Sequence, residues 1–569
     1  MGCSPSKNTG SPVTSIEPEP RSKSAMYRPA SPIKQADRIV EDCIIVWFLP
    51  DIFKDIENEK AKLRHIVSTI KMFTDQDQCI AYITSIRVEK IFFILPTVEP
   101  FLDAIRILPQ VEKIYIFNEK TTDKISSANT FSNIDNLCKQ LTTDVELCEL
   151  DLLVLTASPP PATSNDPTSS NGKKQQAIFL YAQFIREIVY RLKFETNAKT
   201  EFVHFCRMHY ANNPEQLRII DDFEANYRPQ KALWWLTRQS FIWRVLQRMP
   251  RTFEIDILYK LGFLVKHAHT QMTNFLDNNV MMDEHHLVVY RGKTMFTEKF
   301  HSLIKLNCNG LISFGNLFIG HMDKQIELDF IEQRLAALPA ATGVLFEIHI
   351  NPTIRSTRSP FTSLDIIHND DKQANHGLLF GLNTVFHIDS IVELDNTIWH
   401  VNLTLVADDD PQLLRIVAPL RSSEVHANPL SYMGKLFMDM EEYEHAEKFF
   451  LAMLEDTSVQ SQPRRLVRVH NGLAANYMSR GDYAKALEQS QNALDVSLSY
   501  LPPRHTDLAA LYDNIGKSYF HMGEYQKAVD NYEKAVDLVV VNPQTNDDSF
   551  LSDLKTRIHS AKKLINKNS

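Results

Sequence analysis

The segment Ile515-Gly-Lys-Ser-Tyr-Phe-His-Met-Gly-Glu-Tyr-Gln-Lys-Ala528 has two counterparts earlier in the chain. They are Met433-Gly-Lys-Leu-Phe-Met-Asp-Met-Glu-Glu-Tyr-Glu-His-Ala446 and Leu473-Ala-Ala-Asn-Tyr-Met-Ser-Arg-Gly-Asp-Tyr-Ala-Lys-Ala486. Each places a small residue nine positions before a tyrosine and an alanine three positions after that tyrosine. The pattern predicts stacked helix pairs, in which the small residue lets the first helix lie close to the second.

Two glycines mark where the first helix of a pair should end. Gly481 and Gly523 stand at equivalent positions, and a left-handed backbone conformation costs glycine least. The segments resemble the tetratricopeptide repeat, and their spacings of 40 and 42 residues are similar to the long-helix repeats of kinesin light chain. The resemblance implies an all-α solenoid over residues 426–566 that binds a protein partner. Residues 546–565 would form its capping helix.

The same resemblance points to one peptide-binding residue. In kinesin light chain an asparagine of the first helix faces the peptide groove, and Asn514 matches it. The other two repeats have Tyr432 and Gly472 at that position. Peptide capture by a row of asparagines is therefore not expected.

Length and composition exclude several classes of protein. A chain of 569 residues is too long for one core and predicts several domains. A net charge of -9 without a long basic run argues against a nucleic-acid partner. The seven cysteines include no Cys-x-x-Cys pair, so we expect neither a disulfide framework nor a bound metal. No apolar stretch approaches the roughly 20 residues of a membrane helix, and we expect a cytoplasmic protein.

The first residues predict a lipid anchor. Met1-Gly-Cys-Ser-Pro-Ser-Lys7 fits the pattern in which Gly2 is myristoylated. One myristoyl chain binds membranes only marginally, with a constant of about 10⁴ M⁻¹, and palmitoylation of Cys3 would supply the second signal. Residues 1–38 would then be a disordered acylated tail that holds the protein at the inner face of a membrane. The alternative is a chance match within a disordered tail.

Residues 39–156 predict a small α/β domain with a parallel sheet. Apolar runs at 44–49, 90–95, 113–117 and 152–155 are expected strands, and 56–72 and 134–141 carry helical periodicity. Asp51 and Asp55 follow the first strand, where such folds bind ligands, but solvated loop acids are the simpler interpretation. The chain contains no G-x-G-x-x-G or P-loop motif, so no nucleotide site is assigned here.

Residues 157–175 have the composition of a linker, and residues 176–408 form the next predicted domain. Helical patterns occupy this region to about residue 280. Strand patterns then follow at 287–290, 311–313, 343–348, 377–381, 385–388 and 398–405. Helices first and strands afterwards predict an α+β domain. The fold class is therefore multidomain: a parallel-sheet α/β domain, an α+β domain and an all-α solenoid.

Several stretches of the α+β region together indicate a known family. In chain order they are Ala232-Leu-Trp-Trp-Leu-Thr-Arg-Gln-Ser-Phe241, Val289-Tyr-Arg-Gly292, Gly343-Val-Leu-Phe-Glu-Ile348, Leu378-Leu-Phe-Gly-Leu-Asn-Thr-Val-Phe-His-Ile388 and Ile398-Trp-His-Val-Asn-Leu-Thr-Leu405. By their order and spacing, they resemble the arginine-specific mono-ADP-ribosyltransferases. The resemblance implies an ADP-ribosyltransferase-like fold and NAD as the substrate of an active enzyme.

Such a site needs three parts. A guanidinium suits the pyrophosphate of NAD, and Arg291 matches the family arginine. A Ser-Thr-Ser strand positions the nicotinamide ribose, but Gly320, His321 and Met322 stand in its place. A Glu-x-Glu turn supplies carboxylates that stabilise the oxocarbenium-like transition state. Here Asn375, His376 and Gly377 occupy the turn.

Two hypotheses follow. Losing one well-placed electrostatic stabiliser typically lowers the rate of catalysis by about 10²–10³. Because the hydroxyl and carboxylate positions are both replaced here, the first hypothesis is a protein-binding adaptor whose transferase-like domain is catalytically impaired. The alternative is an active NAD⁺–protein-arginine ADP-ribosyltransferase whose repeats recruit the substrate. Asp370, Asp371 or Glu347 would then replace a lost carboxylate. A carboxylate within reach of Arg291 would favour this alternative. The other interpretation of Arg291 is purely structural: a strand arginine that forms an ion pair with a neighbouring acid.

Overall fold

The computed structural model describes the chain with gaps. The described residues are 41–50, 56–118, 129–160, 170–191, 197–238, 240–252, 255–277, 287–338, 341–351, 358–367, 377–395, 397–421, 429–455, 457–541 and 548–568. Gly2, Cys3, Asp51, Asp55, Asp370, Asp371, Asn375 and His376 lie outside these residues, as does the predicted acylated tail. None of the described helices is long and apolar enough to cross a membrane.

The amino-terminal region forms a five-stranded parallel sheet. Its strands, in the order β2-β1-β3-β4-β5, are β1 (Cys43–Phe48), β2 (Ile70–Phe73), β3 (Lys90–Leu95), β4 (Val111–Phe117) and β5 (Thr130–Phe131). The helices are α1 (Glu57–Ile66), α2 (Gln76–Ser85), α3 (Leu102–Arg106) and α4 (Ile134–Asp151). Alternate side chains of β1 enter two separate apolar clusters on the two faces of the sheet. Both faces are covered, and this explains why β1 and most of β3 are continuous apolar runs.

Several boundaries differ from the sequence prediction. The helix predicted over 134–141 continues to Asp151, and a helix over Ser170–Arg191 begins inside the predicted linker 157–175. The helix predicted over 56–72 ends at Ile66, and Ile70–Phe73 is an edge strand, because β-branched Val67, Thr69 and Ile70 favour extended backbone there. The strand predicted at 152–155 lies at Leu155–Ser158 (β6). It pairs antiparallel with a strand of the central sheet and does not join the parallel sheet.

The central region has helices followed by a nine-stranded sheet. The helices before the sheet are α5 (Ser170–Arg191), α6 (Ala198–His209), α7 (Pro214–Asn226), α8 (Ala232–Thr237), α9 (Phe241–Thr252) and α10 (Ile255–Asp277). Its remaining strands are β7 (Leu287–Phe296), β8 (Leu311–Phe314), β9 (Phe318–His321), β10 (Ala341–Ile350), β11 (Phe361–Ser363), β12 (Gly377–Phe380), β13 (Thr384–Glu393) and β14 (Ile398–Leu405). The strand order is β11-β12-β9-β7-β10-β14-β13-β8-β6. Helices α11 (Thr297–Leu303), α12 (Lys324–Ala337), α13 (Leu364–Ile367) and α14 (Pro411–Val417) connect or follow the strands.

The carboxyl-terminal region is helical. Its helices are α15 (Pro429–Asp439), α16 (Tyr443–Glu455), α17 (Thr457–Gln460), α18 (Pro463–Ser479), α19 (Tyr483–Leu498), α20 (Asp507–His521), α21 (Tyr525–Val541) and α22 (Asp548–Asn568). The described residues divide into two compact units. One contains residues 450–474 and 482–568, and the other contains residues 41–449 and 475–481. The α20, α21 and α22 helices share one apolar cluster within the first of these units.

The packing of the repeats agrees with the roles that the sequence predicts for their glycines. A Cβ on Gly516 would stand 2.6 Å from the ring of Tyr532, so only glycine allows α20 to lie this close to α21. Gly481 and Gly523 have φ values of 78° and 80°, as the helix ends require. At the equivalent point of the first repeat Glu441 takes a φ of 63°, which is unfavourable for a residue with a side chain.

Candidate functional site

Arg291 is a buried residue of strand β7 in the nine-stranded sheet. Only 7% of its surface is exposed. Its Nη2 donates a 2.7 Å hydrogen bond to the carbonyl oxygen of Leu150, and its Nη1 lies 3.5 Å from the carbonyl oxygen of Ile319. Leu150 is one residue from the end of α4, so the guanidinium binds the terminus of a helix that belongs to the parallel-sheet region.

Lys293 makes the same kind of contact two residues further along β7. Its Nζ donates a 2.5 Å hydrogen bond to the carbonyl oxygen of Asp151, the last residue of α4. The last carbonyl groups of a helix have no partner within the helix and carry the negative end of its dipole. Two cations on one face of β7 therefore cap α4, and no sequence pattern indicated this contact.

Glu327 is the carboxylate closest to Arg291 among the described contacts. It lies in the first turn of α12, is 2% exposed, and its Oε1 is 3.8 Å from Nη1 of Arg291. The same Oε1 is 2.5 Å from Nδ1 of His321, while Oε2 accepts a 2.6 Å hydrogen bond from the backbone N–H of Gly292. Both carboxylate oxygens are thus engaged inside the protein.

The predicted motif positions come together beside β7. Strand β9 lies between β7 and β12, and His321 is paired with Tyr290 on one side and Gly377 on the other. A Cβ on Gly320 would stand 2.8 Å from the side chain of Val289, so this position has no room for a hydroxyl-bearing side chain. Met322 is half exposed.

Glu347 does not take part in this cluster. It is paired with Tyr290, whereas its neighbour Phe346 is paired with Arg291. Because side chains alternate along a strand, Glu347 lies on the other face of the sheet from Arg291. Its carboxylate is 3.0 Å from Nε2 of His400.

Asp151 organises a second cluster that joins α4 to β7 and α12. Its carboxylate accepts hydrogen bonds from the backbone N–H and the hydroxyl of Thr294, the former at 2.7 Å. Arg334 approaches the same carboxylate at 3.2 Å and donates a 2.7 Å hydrogen bond to Glu112. Burial alone would lower the pKa of Arg334, but the charges of Glu112 and Asp151 outweigh it and raise that pKa above its usual value. We call Asp151, Thr294, Arg334 and Glu112 the Asp151 network.

The first repeat helix packs against the central domain. The rings of Tyr432 and Phe437 in α15 lie 5.4 Å from the rings of Phe184 and Tyr181 in α5, respectively. Stacked helical repeats need a cover at each end, and α5 supplies one for the first helix. Tyr432 therefore has a packing role at the position where Asn514 stands in the third repeat.

One protein-family model matches part of the helical region. Residues 465–539 match the tetratricopeptide repeat family. Tetratricopeptide repeats generally mediate protein–protein interaction, and this region suggests such a role. The matched segment includes Asn514, which is half-buried in α20. No curated protein sequence matches the chain.

Solved structures show weak similarity to an ADP-ribosyltransferase. The transferase Vis bound to the M6 inhibitor has 16% identity over 43% of this chain and 88% of its own, with a TM-score of 0.19. Vis bound to agmatine has 13% identity over 43% and 89%, with a TM-score of 0.18. A signal transduction ATPase with a tetratricopeptide repeat sensor, from Pyrococcus horikoshii, has 11% identity over 92% and 78%, with a TM-score of 0.23. At these scores none of the three assigns a residue of the site.

Within the described residues, no group of three or more histidine, cysteine or acidic side chains is arranged to hold a metal ion. The arrangement around Arg291 offers one guanidinium, one imidazole and one carboxylate, and the carboxylate contacts both of the other groups. NAD binding by Arg291 would need the guanidinium to exchange these internal partners for phosphate oxygens.

Proposed function

We propose that this protein is an adaptor that binds a protein partner through its tetratricopeptide repeats, and that its ADP-ribosyltransferase-like domain is catalytically impaired. The observation that carries the second part is the hydrogen bond from Arg291 to the Leu150 carbonyl. The cation that the resemblance assigns to NAD caps a helix instead. Hydrogen bonds to charged groups contribute about 1.5–3 kcal/mol each, so pyrophosphate would have to replace substantial internal binding.

The neighbouring positions support the same proposal. Gly320 leaves no space for the hydroxyl that would hold the ribose. Glu327 is buried, with both oxygens engaged, so it does not face an oxocarbenium ion. Asn375 and Gly377 replace the two carboxylates of the family turn. A pocket without an anion stabilises the ribosyl cation poorly.

One assay tests this proposal. The purified full chain is incubated with labelled NAD and a generic arginine acceptor, and both label transfer and release of nicotinamide are measured. We expect neither to exceed the rate without protein. Robust transfer that disappears in Arg291→Lys, with unchanged thermal unfolding of the variant, would overturn the proposal.

The alternative is an active NAD⁺–protein-arginine ADP-ribosyltransferase whose repeats recruit the substrate. Two observations favour it: Glu327 lies 3.8 Å from the guanidinium, and Nε of Arg291 has no hydrogen-bond partner within the described residues. In this case Glu327 would be the acid that meets the ribosyl cation. Glu327→Gln should then abolish transfer, whereas Asp329→Asn, on the exposed side of α12, should leave it intact.

Charge suggests what the repeats bind. The first helix of the second repeat, α18, contains Arg464, Arg465 and Arg468 and no acidic residue. Arg464 and Arg468 are exposed and lie four residues apart, so they share one face of the helix. First helices line the groove in tetratricopeptide repeats, and a kinesin-light-chain-like groove would place Asn514 there as well. We infer an acidic segment of a protein as the partner.

A charge reversal tests the groove. Once a partner is identified by proximity labelling, Arg464→Glu with Arg468→Glu should weaken its binding at least tenfold, and added salt should weaken binding by the unmodified chain. Lys485→Glu, in the second helix of the same repeat, is the matched control and should bind normally. Equal binding by the double variant and the control would remove the groove from the proposal.

Membrane attachment is the last part of the proposal. The sequence Met1-Gly-Cys-Ser-Pro-Ser-Lys7 supports acylation of Gly2 and Cys3. Gly2→Ala should move the protein from the membrane fraction to the cytosol, and Cys3→Ser should weaken attachment partially. If the Gly2→Ala variant stays in the membrane fraction, the proposed lipid anchor is wrong.

A further inference from the structure

A cavity of about 1070 Å³ lies beside the Asp151 network. One wall is made by residues 87–90 and 106–112 of the parallel-sheet region. The chain that leaves α4, residues 151–157, makes the second wall, and α5 together with residues 293–296 makes the others. This volume is slightly above the roughly 300–1,000 Å³ that ligand pockets usually span.

The walls are held in place by specific hydrogen bonds. Nζ of Lys90 donates a 2.8 Å bond to the carbonyl oxygen of Pro109 and lies 3.7 Å from Glu112, which fixes the loop before β4. Nε2 of Gln175 donates a 2.9 Å bond to the carbonyl oxygen of Ser302 and ties α5 to α11. The cavity is therefore bounded by ordered elements on opposite sides.

The interior is mostly aliphatic. Buried Leu153, Leu155, Ala157, Ala182, Ile185 and Met295 line it. Among the polar groups of its wall, those of the Asp151 network and Lys293 hydrogen-bond to one another or to α4. Thr156 and Asn383 also line the cavity, and their buried Oγ1 and Oδ1 atoms have no hydrogen-bond partner within the described residues. A ligand that enters the cavity therefore meets mainly carbon surface, and most of the charged groups of the wall already have partners.

The charged residues of the cavity are predominantly cationic. Six cationic side chains line it, against the two carboxylates of Glu112 and Asp151. Both carboxylates are already paired with Arg334. Arg87, Arg106 and Lys299 are exposed, so they form a cationic rim at the solvent side. A concentration of one sign of charge at the mouth of an apolar cavity attracts an anionic group.

Two large apolar side chains lie at the same rim. Ile107 is 80% exposed and Phe296 is 53% exposed, and both line the cavity. Together with the three cations they make an amphipathic entrance. This combination matches a molecule with an alkyl chain and an acidic head.

We propose that this cavity binds a long-chain fatty acid, with the alkyl chain in the aliphatic interior and the carboxylate at the rim formed by Arg87, Arg106 and Lys299. Each methylene removed from water contributes about 0.8 kcal/mol, so chain length sets most of the affinity. The exposed cations add a smaller contribution that depends on salt. The proposed fatty-acid site does not depend on the transferase-like chemistry, so this proposal holds whether or not the domain is catalytically active.

The test uses the full chain produced without acylation and stripped of lipid. Titration with the fluorescent fatty acid cis-parinaric acid should saturate at one molecule per chain, and oleate should displace it. Hexanoate should compete at least a hundredfold more weakly because most of its apolar contact is missing. Methyl oleate, which lacks the charge, should compete several-fold more weakly than oleate. Binding that does not saturate, or that hexanoate displaces as well as oleate, overturns the proposal.

Two variants locate the site. Arg87→Glu with Arg106→Glu changes only exposed side chains and should weaken parinarate binding at least tenfold, whereas Arg218→Glu, exposed on α7, should not. Ala182→Trp fills the interior and should abolish binding, with thermal unfolding as the check that the protein is folded. If the double reversal binds parinarate as well as Arg218→Glu does, the ligand lies elsewhere and the proposal fails.

Discussion

The guanidinium of Arg291 donates a 2.7 Å hydrogen bond to the carbonyl oxygen of Leu150, which joins strand β7 of the nine-stranded sheet to the end of α4. Lys293 repeats the contact at Asp151. A strand of the central sheet therefore completes the hydrogen bonding of a helix from the parallel-sheet region. The arginine at position 291 therefore has a structural role that does not involve NAD.

Removal of this contact should destabilise the protein. Arg291→Gln leaves the buried Glu327 without its nearest guanidinium and the Leu150 carbonyl without its donor. Loss of a buried ionic partner typically lowers the free energy of unfolding by about 3–5 kcal/mol. Urea denaturation in the absence of NAD should show the loss, with faster hydrogen exchange at the end of α4. Lys299→Gln, exposed near the same strand, is the control, and equal stability of the two variants would contradict the structural role.

Glu149 makes stability depend on pH. Burial raises the pKa of its carboxyl to about 7, the charge of Arg244 opposes that shift, and the charges of Glu41 and Asp42 add to it. An acid whose pKa is higher in the folded state contributes stability below its unfolded pKa, and this contribution is lost as pH rises towards 7. Relative to the unmodified chain, Glu149→Gln should therefore gain stability between pH 5 and 8, by about 2–3 kcal/mol. Thermal unfolding at several pH values measures it, and a constant difference would contradict the assignment.

Local patterns predicted the central elements of the fold. The strand expected at 90–95 is β3, and all strand pairs of its sheet are parallel. The apolar run of β3 is unambiguous because both faces of that strand are buried. The expected strands at 343–348 and 398–405 are also found, within β10 and β14. Hydrophobic periodicity is enough to predict a helix or strand when the element is long and its buried positions follow one regular pattern.

The site could not be predicted to the same extent. Glu327 is one acid among several in α12, and only the packing of that helix on β7 brings it to Gly292, His321 and Arg291. Likewise, the carbonyl of Leu150 becomes a partner for Arg291 through the docking of two regions far apart in sequence. Such contacts depend on tertiary structure, and single-sequence patterns carry no information about them.

Two glycines of the third repeat should respond to alanine for different reasons. At Gly516 the new Cβ would stand 2.6 Å from the Tyr532 ring, and overpacking of this kind costs about 1–3 kcal/mol. At Gly523 nothing lies within 4 Å, but the φ of 80° is strained for alanine. That strain costs about 1–2 kcal/mol. Hydrogen exchange in α20 and α21 should increase in both variants. Tyr532→Leu should rescue Gly516→Ala but not Gly523→Ala, and rescue of both or of neither would contradict this distinction.

Glu441 offers a stabilising substitution. It has a φ of 63° at the position where the next two repeats have Gly481 and Gly523, so Glu441→Gly should relieve strain of about 1–2 kcal/mol. The change also removes an ion pair of 2.6 Å with Lys174, but those side chains are 52% and 40% exposed. Such a pair contributes at most about 1 kcal/mol. Glu441→Gln removes the charge and keeps the strained backbone, which makes it the matched control. Slower hydrogen exchange in α15 and α16 for the glycine variant than for the glutamine variant is expected, and the reverse order would show that the ion pair outweighs the backbone strain.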